Sequence, residues 1–145
     1  MHCSATGWLL VPLLMLVGCG GSSDAPKTIP VVGKITYHGG AWPKPAKAAF
    51  VMQTPAEGSP MQSGTADIAA DGTFKASTFD LNDGLVPGTF QVTIESWESE
   101  PAESPTPVKS LVPDKYRQSN QSGLTLEVPK DAKKPVEFNF DVPGA

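Results

Sequence analysis

Two histidines and two cysteines are the only imidazoles and thiols in the 145-residue chain, so chemistry that depends on them has few places to sit. His2 and Cys3 lie at the extreme start, Cys19 closes an apolar run, and His38 stands in Tyr37-His38-Gly39-Gly40. A zinc site needs three or four Cys, His or carboxylate ligands. One histidine among glycines reads instead as a turn residue, and no metal or cofactor is expected. Asp80-Leu81-Asn82-Asp83-Gly84 offers the oxygens of a calcium loop. It is one residue short of Asp-x-Asn-x-Asp-Gly and has no Glu at the twelfth position. Asp and Asn ahead of Gly are also ordinary turn formers. No nucleophile, base and orienting group stand at a recognisable spacing, so catalytic residues are not expected. Four aromatics, Tyr37, Trp42, Trp97 and Tyr116, could form a platform for sugars, although in a small β-domain such rings are more often core. Trp97 falls out of phase with Ile94, on the polar face of its strand, and is the ring to watch.

The apolar run that precedes Cys19 is Trp8 to Val17 (WLLVPLLMLV), interrupted by Pro12 and followed by Gly18-Cys19-Gly20-Gly21. A membrane-spanning helix takes about 20 apolar residues, so this run is too short to cross and remain. Its length is that of a signal-peptide core, with small residues after it for a peptidase. Leu16-Val17-Gly18-Cys19 resembles the lipobox of bacterial lipoproteins. The resemblance implies cleavage between Gly18 and Cys19, a diacylglyceryl group on the Cys19 thiol and an acylated new amino terminus. The mature chain would then have no thiol left for a disulfide, and its fold would rest on packing. Gly20 in place of Asp after the cysteine implies, by the same resemblance, export to the outer membrane rather than retention at the inner one. The following GGSSDAPKTIP reads as a tether, and eleven flexible residues span roughly 18 Å.

Charge is modest, with 11 Lys+Arg against 15 Asp+Glu and a net charge of −4. Nucleic acid and strongly anionic membrane surfaces both call for a concentrated basic face, and this mild acidity argues against them as partners. Pro and Gly make up about one residue in five, rich in turns but below the level of a low-complexity chain. Length and composition suit one domain.

From Val31 onward the apolar residues recur every second position. Val31, Gly33, Ile35 and Tyr37 share one face; Ala48, Phe50 and Met52 mark a second strand. Ala66 and Ile68 lead through Asp71-Gly72 to Phe74 and Ala76, a hairpin pattern. Phe90, Val92 and Ile94 follow the Pro87-Gly88 turn; then come Leu124, Leu126 and Val128, and finally Val136, Phe138, Phe140 and Val142. Pro113-Asp114-Lys115-Tyr116 suits a single helical turn with Pro at its first position. Glu98 to Pro107, acidic and Pro-rich, reads as a mobile surface loop. The expectation is an all-β antiparallel β-sandwich of about seven strands. Its organisation is 1–18 as signal peptide, 19–30 as lipidated cysteine and tether, and 31–145 as the domain with loop 98–107.

The order VVGKITYHGG, AAFV, ADIAADGTF, DGLVPGTFQVTI, VPDKY and SGLTLEV is similar to small planctomycete-type lipoproteins with carboxypeptidase regulatory-like or transthyretin-like domains. That resemblance covers about Val31 to Val142. It implies a transthyretin-like, Ig-like sandwich of seven strands and a non-catalytic role, since the regulatory-like domain is the part of such enzymes that does no chemistry. Hydroxyisourate hydrolases of transthyretin type end in Tyr-Arg-Gly-Ser. Tyr116-Arg117-Gln118-Ser119 lies mid-chain without their histidines, so that activity is not carried over. Some surface adhesin domains join a strand lysine to an asparagine beside a buried acid. Lys34, Asn139 and Glu95 occupy comparable strands, yet each alternates with core residues and should face solvent. The chain is thus expected to be a membrane-anchored envelope lipoprotein in a structural or binding role. The alternative is an adhesin-like carbohydrate- or protein-binding module of the cell surface. Its expected partners are the membrane and an envelope protein or polysaccharide, with no nucleic acid.

Overall fold

Side chains of an extended chain alternate between two faces, so a stretch that is apolar at every second position can bury one face and wet the other. The computed structural model describes residues 25–101 and 105–145. Within them the period-two stretches form seven strands: β1 (Val31–Tyr37), β2 (Ala46–Pro55), β3 (Gly64–Ile68), β4 (Thr73–Lys75), β5 (Gly88–Ser96), β6 (Thr125–Val128) and β7 (Val136–Val142). A 3₁₀ turn, Asp114–Arg117, supplies the helical turn. Pro113 stands before it with ψ 141°, as its cap and not in its first turn as the sequence suggested.

The fold is all-β. Its seven strands form one sheet in the order β6-β5-β2-β3-β4-β1-β7, curled until it nearly closes into a barrel. One expectation needs correcting: the sheet is mixed, not antiparallel throughout. β1 and β7 run parallel in register from Val31↔Val136 to Tyr37↔Val142. The chain goes up and down on successive strands, so β1 and β7, both odd-numbered, start at the same end. Apolar alternation reports which face a residue takes but carries no information on strand direction. Gly33 makes this pairing possible, because a Cβ there would stand 1.8 Å from the Phe138 carbonyl oxygen. The Asp71-Gly72 corner joins β3 to β4 as the hairpin pattern implied, with Gly72 at φ 92° and Asp71 Oδ1 accepting the Thr73 N–H at 3.0 Å.

The core lies inside the curl, built on Ile35, Phe50, Phe90, Val92 and Ile94 with Leu85, Val86 and Val112 from connections. β7 keeps its alternation but buries little. Phe138 and Phe140 are only half-buried, and Val142 alone of its residues is fully enclosed. An edge strand has one neighbour, so its apolar face is covered from one side. Phe140 is partly sheltered by the Tyr116 ring, edge-on at 5.3 Å.

Because strand direction alternates, the connections sort into two ends. The start of β1 places Ala25–Pro30 at what is here the proximal end. Loops 56–63, 76–87 and 129–135 share that end. Loops 38–45, 69–72 and the long 97–124 connection lie at the distal end with the carboxyl terminus. β5 has nine residues, so the two ends stand about 30 Å apart along it.

Candidate functional site: a cleft around Trp97

β5 and β2 pair over their whole lengths, which brings Lys47 opposite Glu95 and Ala46 opposite Ser96 at the distal end. The buried Ser96 hydroxyl donates to the Pro45 carbonyl at 2.9 Å and locks this corner. Beyond it the Glu98–Pro107 stretch begins in ladder geometry. Trp97 bridges Ser110, the Glu98 N–H meets the Lys109 carbonyl at 3.1 Å, and Lys109 Nζ sits 3.6 Å from Glu98 Oε1. Residues 102–104 of that stretch lie outside the described residues.

Trp97 is half-exposed and opens onto a cleft of about 500 Å³, lined also by Lys44, Pro45, Lys47, Glu95 and Glu98. The Arg117 guanidinium lies 4.8 Å from the centre of the indole and is itself paired with Asp114. A cation over an aromatic face is attracted by the ring's quadrupole, so this contact holds the indole in place. The result is an oriented apolar plate beside proline, with carboxylates and ammonium groups around it. Such a surface can stack on the C–H face of a sugar while the charged groups bond its hydroxyls. The other three candidate aromatics serve packing. Trp42 is buried and donates its Nε1–H to the Ile35 carbonyl at 2.7 Å, Tyr37 packs on it at 5.0 Å, and Tyr116 is buried under Phe140.

The remaining candidates are dispersed. Lys34 and Asn139 do face each other across β1 and β7, but both are exposed and the Asn139 Oδ1 accepts the Lys34 backbone N–H at 2.9 Å. Glu95 lies on β5, separated from β1 by three strands. An amide cross-link needs an apolar enclosure to neutralise amine and acid, and these positions have none. His38 occupies its turn at φ 50°, against the Tyr37 ring at 4.6 Å. Asp141 accepts from the Thr36 hydroxyl at 2.6 Å and the Gly39 N–H at 2.7 Å, which ties that turn to β7. Gly18 and Cys19, the cleavage and lipidation positions, lie outside the described residues.

In the Asp80–Gly84 run the Asp83 carboxylate turns inward to backbone, while Asp80 and Asn82 are exposed. Asp83 accepts the N–H of Thr78 at 2.7 Å and those of Phe79 and Asp80 at 3.1 Å. Partial burial opposes its charge, yet the three N–H donors outweigh that and hold the carboxyl below its ordinary 3.8. Asp83→Ala should therefore cost about 1 kcal/mol, chiefly by leaving the part-buried Thr78 N–H unmet, since the Phe79 and Asp80 donors are exposed to water. The Asp83 contribution is present above pH 3.8 and is lost as pH falls through the lowered folded value. Denaturant melts of wild type and Asp83→Ala should accordingly converge under acid. A gap that persists or widens there would contradict the assignment.

Comparison with protein-family models, with curated proteins and with solved structures found no significant match. The cleft is thus defined by its own residues. Sequence pattern singled out Trp97 but not Arg117 or Lys47, because twenty residues separate Trp97 from Arg117 and fifty separate it from Lys47, and no local spacing links them.

Proposed function

We propose that the protein is an exported lipoprotein, anchored through Cys19 in the outer membrane, whose β-domain binds an envelope polysaccharide at the Trp97 cleft without catalysing a reaction. The observation that carries the binding half is the indole held by Arg117 in an open cleft at the end of the domain away from Ala25–Pro30. The lipobox pattern carries the anchor. We read the curled sheet as a flattened, transthyretin-like sandwich. Support comes from the tight curl that brings Phe50 of β2 and Phe74 of β4, with β3 between them, to 5.9 Å on the inner face.

Envelope polysaccharide fractions should change the intrinsic tryptophan emission, through Trp97 and not the buried Trp42. Trp97→Ala should weaken binding by roughly tenfold or more, equivalent to about 1.4 kcal/mol, with the melting midpoint nearly unchanged because the side chain is outside the core. Binding that survives this substitution would place the site elsewhere. No binding by any fraction would favour a purely structural role.

A further inference from the structure

Among the described residues three large apolar side chains are exposed: Met61 at 61%, Phe79 at 48% and Leu81 at 83%. Singly, such residues are ordinary on protein surfaces. All three, however, lie on loops of the proximal end, Met61 between β2 and β3 and the other two between β4 and β5. The end that carries them is the end at which the chain arrives from Cys19. Ile29 and Leu85 exchange backbone hydrogen bonds of 2.8 and 2.9 Å, so the incoming segment is stitched to the very loop that presents Phe79 and Leu81.

These loops form one platform. The Ala56 N–H donates to the Pro87 carbonyl at 3.0 Å, and Lys130 Nζ donates to the Glu57 carbonyl at 2.8 Å, joining three connections. Asp83 gathers the three N–H groups at the base of the 78–84 turn, and the Asn82 N–H donates to Ser77 Oγ at 2.7 Å. The outward placement of Leu81 is thus built into the turn. Charge at this end is balanced. The loops hold Lys27, Lys130, Lys133 and Lys134 against Glu57, Asp80, Asp83 and Asp131.

We infer that the proximal end is a second membrane contact, in which Met61, Phe79 and Leu81 enter the headgroup–acyl boundary of the bilayer that holds the Cys19 lipid. The inference rests on the lipid-anchor reading. Apolar side chains at an interface are driven by area removed from water, and with balanced loop charge the docking should not depend on anionic lipid. It would set the domain upright, with the Trp97 cleft about 30 Å out from the surface.

The test uses the full chain as isolated from cells, in phosphatidylethanolamine bilayers with brominated acyl chains. Incorporation of labelled fatty acid at Cys19 is measured on the same sample. Leu81→Trp is the reporter, since an exposed position accommodates the ring. Its added emission should be blue-shifted and quenched about twofold or more, while that of Trp42 and Trp97 is spared and added salt changes nothing. Phe79→Ser in the same background should relieve the quenching. A reporter that stays water-exposed in lipid-labelled protein would overturn the docking and leave the anchor standing. A chain that takes up no fatty acid would overturn the anchor reading and this inference with it.

Discussion

Phe50→Ala and Phe90→Ala should each destabilise the domain by about 3–5 kcal/mol, the loss of a buried aromatic with the cavity it leaves. Both rings are fully enclosed, and Phe50 lies 5.9 Å from the buried Phe74 of β4, so the surrounding strands have no simple way to close the gap. The total stability of such a domain is typically about 5–15 kcal/mol, which makes either change severe. Phe138→Ala should cost about half as much, because the half-buried edge position already shares its surface with water. The ranking Phe50 and Phe90 above Phe138 is the informative outcome of denaturant melts. Equal losses would mean that β7 packs more deeply than the curled sheet allows.

Cys19→Ala should abolish incorporation of labelled fatty acid and leave an uncleaved precursor. The thiol is the acceptor of the first acyl-bearing group in the proposed chemistry, and an alanine methyl has no nucleophile to replace it. Each buried CH₂ contributes about 0.8 kcal/mol to membrane attachment, so more than one acyl chain makes anchoring effectively permanent. Continued lipid labelling would show that Cys19 is not the acceptor.

Much of the strand inventory was legible because its causes are local. A residue's face follows from alternation along its own strand, and turns follow from Asp, Gly and Pro at the corners, as at Asp71-Gly72. Trp97 was likewise legible as outward-facing from its phase against Ile94. Local pattern also placed His38 in a turn and kept Lys34 and Asn139 on the wet face.

Other features required chain segments to meet in space. The parallel β1–β7 pair depends on the parity of strands between them and on Gly33 admitting the Phe138 carbonyl, neither of which leaves a mark in hydrophobic period. Half-burial of Phe138 and Phe140 follows from β7 being an edge, a property of sheet order. Arg117 over Trp97, Lys47 opposite Glu95, and the gathering of Met61, Phe79 and Leu81 at the end that receives Ala25–Pro30 are all products of topology. Sequence alone determined which residues can be buried and which can turn, since those are preferences of single residues and near neighbours. Tertiary structure decided which of them stand together, because that depends on strand order and direction, and these emerge only when the whole sheet closes around its core.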